Sequence, residues 1–153
     1  MMGQFRTVRV IMDGLISDQS TVSRLDYRVG LLDCDMNRHM TNSRYPHYLD
    51  LGRWHLMMNS GAYRICLADR CAPMVVELNL AYWRELRFGA KFYLDTRLVR
   101  IDHKCLHFEQ YFLVDGRPHC RAEVKSLLVQ RGRVIGADGF SAFIAPPLAI
   151  DGP

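Results

Sequence analysis

The sequence predicts an α+β domain in which one antiparallel sheet curls around a single long helix. Two observations support this class. A segment that begins at Thr41 carries apolar residues at helical spacing, and from Val76 onward apolar and polar residues alternate at every second position. Because the helical and the alternating segments occupy separate parts of the chain, the elements are segregated, as they are in α+β domains.

The N-terminal part contains one clear strand pattern. Residues 25–32 form a predicted strand that ends in a polar cluster, and residues 5–16 form either an additional strand or an arm. No linker rich in glycine, proline or serine divides the chain. We therefore expect residues 1–24 to be an arm or extra strand and residues 25–153 to form a single domain.

The predicted helix extends over residues 41–59. Four further apolar residues lie outside its apolar stripe, which predicts a helix with little surface in water: Leu51, Trp54, Met57 and Met58. Asn42 or Ser43 is expected to cap its N-terminus, and Gly61 follows its end. The stripe itself consists of residues three or four positions apart: Tyr45, Tyr48, Leu49, Gly52 and Leu56.

A short connection to Arg70, either helical or irregular, leads into four predicted strands. Alternate residues form the apolar face of each strand, within the segments 76–82, 92–98, 106–112 and 122–128. Turn sequences separate these segments at 88–89, 102–104 and 115–116.

The composition excludes several classes of protein. With 49% hydrophobic and 24% charged residues, the chain resembles a soluble globular domain and neither a disordered chain nor a coiled coil. No stretch is apolar enough to cross a bilayer, and no secretion signal is visible. Five cysteines without framework spacing favour a cytoplasmic location. The net charge of +4 comes from scattered arginines, which favour an anionic ligand over a nucleic-acid groove.

The densest polar cluster, residues 33–42, lies where the predicted strand meets the helix. The N-terminus of a buried helix offers unpaired N–H groups that can polarise a carbonyl and stabilise an oxyanion. A carboxylate just upstream could act as general base or nucleophile. The cluster is therefore either an acyl-transfer site or a capped helix with acids in water. Because capping acids are common, these residues alone favour the second interpretation.

Other chemical motifs are weak. Cys34 is flanked by two acids, which raise the pKa of a thiol and disfavour a nucleophilic role. Cys66 and Cys71 lack a second pair of zinc ligands. No motif of a phosphate-binding loop, a dinucleotide-binding fold, a metalloprotease or a serine hydrolase is present. The sequence therefore predicts neither a metal nor a cofactor.

The polar cluster and the helix start resemble the signature of the hot dog-fold acyl-CoA thioesterases, in the 4-hydroxybenzoyl-CoA thioesterase-like group. The resemblance rests on LDCDMNRHMTNSRY at residues 32–45, on YLD at 48–50 and on Arg53-Trp54. A second match extends from Val75 to Gly89. The similarity covers roughly residues 27–130, and the hot dog fold is itself a curled sheet around a central helix. The resemblance therefore favours an active site at the cluster.

Individual roles follow from position in that signature. Asp35 precedes His39 by four residues and so takes the place of the catalytic acid, which attacks the thioester or activates water. Asn42 takes the place of the helix-start residue whose backbone N–H binds the thioester oxygen. His39 matches a frequent histidine that would orient Asp35 or water, or pack. Thr41 replaces an asparagine and Pro46 a common leucine, which alters the shape of the pocket but neither the acid nor the donor.

The resemblance also implies a site shared between two subunits. Glu77 and Asn79 lie on the strand that a partner would place opposite the helix end. Arg84, Arg87 and Lys91 would meet the phosphates of coenzyme A, although each taken alone is better explained as a solvated cation at a strand end. We expect an acyl-CoA substrate, a homodimer or dimer of dimers, and no nucleic-acid or membrane partner. The alternative function is a non-catalytic module that binds acyl-CoA or acyl-carrier protein, which the carboxylate of Asp35 disfavours.

Overall fold

A computed structural model of the 153-residue chain describes residues 20–150. Segment 5–16 lies outside the described residues, so the arm or extra strand within 1–24, and the division of the chain at that point, stay predictions. The elements in chain order are β1 Val22–Arg28, α1 Arg44–Ser60, α2 Tyr63–Asp69, β2 Ala72–Tyr82, β3 Lys91–Asp102, β4 Cys105–Val114, β5 Arg117–Gln130 and β6 Arg133–Ile135. Short 3₁₀ turns occur at Leu31–Asp33 and Asp138–Phe143.

The strands form one antiparallel sheet with the order β1-β3-β4-β5-β2, and β6 pairs with β5. Three tight connections, β3–β4, β4–β5 and β5–β6, account for the meander that the alternating pattern predicts. The connection from β1 to β2 contains both helices, and α1 lies in the curve of the sheet. The predicted α+β class, with a curled sheet around one central helix, is confirmed.

Hydrogen bonds at the β1–α1 connection explain why both elements differ from their predicted limits. The amide of Gly30 donates to Oδ2 of Asp33 at 2.8 Å, which turns the chain out of the sheet soon after Arg28. The amide of Thr41 donates to the carbonyl of Asp33 at 2.8 Å. The amide of Arg44 in turn donates to the carbonyl of Thr41 at 3.0 Å. Because that second bond closes a turn over residues 41–44, α1 begins at Arg44.

A glycine lets α1 approach the sheet closely. A Cβ atom on Gly52 would lie only 2.5 Å from Oγ1 of Thr96 and 2.7 Å from a methyl carbon of Leu94. Beside this contact, the side-chain amide of Gln110 donates to the Leu49 carbonyl at 3.0 Å and to Thr96 at 2.9 Å. The helix is thus fixed on the sheet by close packing together with a satisfied buried amide.

The helix is more exposed than its sequence predicts. Its buried face contains the predicted stripe, but Trp54 is 61% exposed, and His47 and Asp50 also face solvent in the single chain. The prediction that little of α1 faces water is therefore wrong for this side. The stripe correctly marks the covered side, but an apolar residue outside it does not show that the opposite side is covered as well.

Strand β2 forms an edge of the sheet and is exposed along most of its length. Exposed apolar side chains include Met74, Val76 and Leu78, at 54%, 56% and 37%. A bulge between Val75 and Glu77 places Val76 outside the regular alternation. An exposed apolar edge of this kind is a template for pairing with another chain. Among residues 20–150, no helix has the length and apolarity needed to cross a membrane.

Candidate active site

The loop between β1 and α1 brings Asp35 and His39 together through their backbones. The amide of Asp35 donates to the carbonyl of His39 at 3.2 Å, and the amide of Arg38 donates to the carbonyl of Asp35 at 3.1 Å. Arg38 has a φ of 61°, in the left-handed region that a tight turn requires. Cys34 and Met40 are bridged at the base of this turn. Residues 34–40 therefore form a closed turn that presents the predicted acid.

The carboxylate of Asp35 is available to solvent. The residue is exposed, and Oδ1 accepts a hydrogen bond from the amide of Asn37 at 2.8 Å. Across residues 20–150, Oδ2 has no hydrogen-bond partner. The bond to Asn37 orients the group while the other oxygen stays free. This arrangement can serve a general base or a nucleophile that acts on a bound ligand.

Asp33, two residues earlier, has the opposite environment. It is buried, and its carboxylate accepts from Nε of Arg44 at 2.8 Å and from the hydroxyl of Tyr48 at 2.8 Å, in addition to the Gly30 amide. Burial, then the hydrogen bond to Asp33, raise the pKa of Tyr48, so this phenol stays protonated as a donor. Asp33 therefore connects the loop to the first turns of α1. The sequence singled out neither Arg44 nor Tyr48 for this contact.

The start of α1 presents backbone donors without side-chain caps. Ser43 occupies the N-cap position, but its side chain makes no capping bond and instead pairs with the Thr41 hydroxyl at 3.0 Å. Ser43 thus has the predicted N-cap position, but the prediction that a side chain caps the helix is wrong. Asn42 is exposed, and within the described part of the chain its backbone N–H has no acceptor. An unpaired amide at a helix N-terminus can bind an anionic oxygen.

The ring of His39 is half-buried beside the loop backbone. Its Nδ1 lies 3.5 Å from the carbonyl oxygen of Met40, and within residues 20–150 the ring makes no hydrogen bond to the Asp35 carboxylate. Its backbone forms a bridge with Arg87. The structure thus joins His39 to Asp35 through a backbone hydrogen bond, with no hydrogen bond between their two side chains among the described residues.

The predicted partner-facing residues lie on β2, away from the loop in the single chain. Glu77 accepts hydrogen bonds from Nζ of Lys125 and from the side-chain amide of Asn79, both at 2.7 Å. The bonds from Lys125 and then Asn79 lower the pKa of Glu77. In the described residues, neither Glu77 nor Asn79 makes a hydrogen bond to residues 33–44. Their expected place at the site thus requires a second subunit.

The predicted phosphate-binding arginines lie on the segment after β2. Arg84 donates to the carbonyl of Pro118 at 2.9 Å, and Arg87 pairs with Glu85 at 3.1 Å. Both are exposed. Because the backbone of Arg87 is bridged to His39, this segment borders the loop that carries Asp35.

The rival nucleophile and metal sites have little structural support. Partial burial, followed by the charges of Asp33 and Asp35, raises the pKa of the Cys34 thiol. A raised pKa lowers the fraction of reactive thiolate. Residues 20–150 contain no group of three or more histidine, cysteine or acidic side chains placed to hold a metal ion.

Structural comparison identifies the fold. The probable thioesterase YbaW from Escherichia coli superposes with a TM-score of 0.72 at 20% sequence identity, over 77% of this chain and 92% of that chain. SAV2348 from Staphylococcus aureus, whose structure was determined in complex with CoA, gives a TM-score of 0.72 at 19% identity, over 90% and 92% of the two chains. These likenesses confirm the hot dog fold that the sequence resemblance implies.

Sequence comparison identifies the family. Protein THEM6 from Danio rerio is 34% identical over 86 residues, which cover 56% of this chain and 43% of that protein. The chain spans about half the length of the curated relatives it matches. The sequence profile of the Thioesterase-like superfamily matches residues 29–145, from the end of β1 to beyond the last strand. Since this match spans well over half of the chain, the protein belongs to the Thioesterase-like superfamily.

Proposed function

We propose that the protein is a hydrolase that cleaves an acyl-CoA thioester to the free acid and coenzyme A. One observation carries the proposal: the β1–α1 connection of a thioesterase-like fold contains both an accessible carboxylate, Asp35, and a backbone amide without an acceptor among the described residues, Asn42, at the helix start. The two groups match the two needs of acyl transfer, a base or nucleophile and an oxyanion donor.

The reaction has two possible routes through the same groups. In the first, Asp35 removes a proton from water, whose oxygen attacks the thioester carbon while the Asn42 amide stabilises the oxyanion. In the second, Asp35 attacks directly and forms a mixed anhydride, which water then hydrolyses. In both routes the C–S bond breaks and the thiolate of coenzyme A takes up a proton.

The protein acts as a homodimer, or as a dimer of dimers, in this proposal. The exposed apolar edge of β2 supports pairing with the same strand of a second copy, because an edge of that kind is otherwise an aggregation site. Antiparallel pairing of two identical edges would carry Glu77 and Asn79 of each subunit towards the other subunit's helix end. Arg84 and Arg87, which border the Asp35 loop, would bind the phosphates of coenzyme A. A cytoplasmic location fits the free thiols of the five cysteines.

A panel of acyl-CoA substrates with a free-thiol readout tests the proposal. Wild-type protein should release coenzyme A from at least one of them. Asp35→Asn keeps the size of the side chain and removes the base or nucleophile, so we expect the rate to fall by roughly 10² to 10⁴. Asp33→Asn, assayed at a temperature where that variant is folded, should cost much less. An equal or larger loss from Asp33→Asn would contradict the assignment of Asp35.

The same panel separates the enzyme from a non-catalytic binding module. Calorimetric titration with each acyl-CoA measures binding without chemistry. A protein that binds an acyl-CoA tightly yet releases no thiol from any substrate would be the binding module, and the proposed hydrolysis would be wrong.

A further inference from the structure

Four large apolar side chains protrude from the end of the molecule that carries the Asp35 loop. Leu31 is 75% exposed, Leu32 86%, Met36 99% and Phe88 56%. Isolated exposed apolar residues are normal on a protein surface, but a group of them on neighbouring loops indicates an interaction site. We call these four residues the apolar patch.

Backbone hydrogen bonds show that the apolar patch is one surface. The amide of Phe88 donates to the carbonyl of Arg38 at 2.9 Å, which joins its segment to the turn that carries Met36. The amide of Gly89 donates to the carbonyl of Val29 at 2.9 Å, which joins the same segment to the turn of Leu31 and Leu32. Phe88 therefore lies between the other members.

Cations border the apolar patch. Arg28 and Lys91 are directly opposite each other on β1 and β3, both are exposed, and neither has an ion-pair partner in the described part of the chain. Like charges that face each other across two strands destabilise a sheet, and a bound anion would relieve the repulsion. Arg38, in the Met36 turn, is a third exposed cation without an ion pair among residues 20–150. The acids in the same segments are Asp26, Asp33, Asp35 and Glu85, of which Asp33 is buried and paired with Arg44, and Glu85 is paired with Arg87.

The strand order keeps Arg28, Lys91 and the turn of Leu31 and Leu32 apart from the edge that we expect to pair with a second copy, whereas Met36 adjoins Asp35 and so borders the proposed shared site. Arg28 and Lys91 belong to β1 and β3, whereas the exposed apolar edge is β2, at the opposite side of the sheet order. Pairing of two β2 strands would therefore leave the β1–β3 end uncovered.

We infer that the apolar patch and its three cations dock the protein on an anionic phospholipid surface. Exposed leucine, methionine and phenylalanine side chains can enter the acyl region, while arginine and lysine contact the lipid phosphates. Lipid is favoured over an acidic protein because Leu32 and Met36 project almost fully into solvent, as side chains that enter an acyl layer must. The sequence predicts no membrane partner, but that expectation rests on spanning segments and does not concern surface docking.

Vesicle cosedimentation tests the inference without reference to thioester hydrolysis. The full chain is mixed with phosphatidylcholine vesicles, with and without phosphatidylglycerol. We expect binding to the anionic vesicles that weakens as salt is added. Leu31→Ser with Leu32→Ser should lower the affinity at least about tenfold, because two leucine side chains no longer enter lipid. Met36→Ser, at the most exposed position, should weaken binding without disturbing the fold.

Matched controls come from the opposite end of the sheet. Leu67→Ser on α2 removes a leucine that is 70% exposed and should leave vesicle binding unchanged. Arg28→Glu with Lys91→Glu should weaken binding about tenfold or more, whereas Lys104→Glu with Arg133→Glu should have a much smaller effect. Wild-type protein that ignores anionic vesicles, or binding that survives the changes in the apolar patch, overturns the inference. A variant of the apolar patch that keeps lipid binding but loses binding to an acidic acyl-carrier protein also overturns the inference, in favour of a protein partner.

Discussion

The hydroxyl of Tyr48 donates a hydrogen bond to the carboxylate of Asp33 across 2.8 Å, which ties the second turn of α1 to the loop before it. Arg44 donates to the other oxygen of the same carboxylate. The helix start, which carries the proposed oxyanion donor, is thus positioned by a buried acid two residues from the exposed one. Two neighbouring carboxylates therefore have opposite environments, one buried and bonded to the helix, the other exposed.

Asp33→Asn should destabilise the protein. An amide carries no charge and cannot accept from Gly30, Arg44 and Tyr48 in the same way. Hydrogen bonds to a charged group contribute more than neutral ones, so we expect the free energy of unfolding to fall by about 2 kcal/mol or more. Urea titration measures this change. Asp35→Asn is the matched control, and because its side chain is exposed, it should leave stability nearly unchanged.

The loop illustrates what the sequence can predict of the site. The spacing of Asp35, His39 and Asn42 locates the turn and the helix start, and their catalytic roles stay predictions. The sequence does not reveal which of two acids turns inward, because that depends on tertiary partners. The available signal is the spacing of Arg44 and Tyr48. Side chains four residues apart lie on the same face of a helix, so these two donors can share one acceptor, which here is the carboxylate of Asp33.

The fold likewise has features that the sequence predicts and features that it does not. Period-two alternation predicts the four strands from residue 76 onward because their buried face is mostly apolar, with Thr96, Gln110 and Ser126 as its polar members. It does not predict the bulge at Val76 or the exposure of β2, since this edge strand has the same apolar pattern as a buried strand. Similarly, the apolar side chain of Trp54 does not show that it lies on the uncovered side of α1.

Acid should weaken the fold partly through His55. Its Nδ1 lies 2.7 Å from the hydroxyl of Ser23 in the core, and burial lowers the pKa of the ring below the ordinary 6.5. Because the unfolded chain binds the proton more readily, the contribution of neutral His55 to the free energy of unfolding is fully present above about pH 6.5. It is lost as the pH falls through the lowered pKa of the folded protein. Partial burial, Arg100 and Lys125 lower the pKa of His107 as well, so that residue adds to the same trend.

Thermal unfolding at several pH values measures this effect. His55→Gln removes the titrating ring and retains a side chain that can bond to Ser23, so its melting temperature should depend less on pH than that of the wild type. His103→Gln, an exposed position, is the control. Identical pH profiles for wild type and His55→Gln would show that His55 does not carry the acid sensitivity.

The exposed edge of β2 should form the subunit interface. Val76→Arg adds a charge to this edge at a position that is 56% exposed in the single chain, so it should disturb pairing more than folding. We expect light scattering to give twice the chain mass, or a multiple of it, for the wild type and a single chain for the variant, with loss of turnover. Leu67→Arg is the control for an added charge on an exposed apolar residue. A wild-type protein that is active as a monomer at micromolar concentration would refute the shared site.

His39→Ala should reduce turnover moderately, whereas Asp35→Ala should leave essentially none. The amide of Asn37 already orients the Asp35 carboxylate, and the His39 ring makes no hydrogen bond to that carboxylate within residues 20–150. The histidine can therefore contribute at most through water or the substrate, and the loss of one such hydrogen bond costs about tenfold in rate. Removal of the proposed base costs roughly 10² to 10⁴. Steady-state kinetics of both variants on one good substrate, with the exposed His47→Ala as control, measures the difference. A dead His39→Ala beside a partly active Asp35→Ala would transfer the catalytic role to the histidine, because only a group that itself moves the proton or attacks the carbonyl is indispensable in this way.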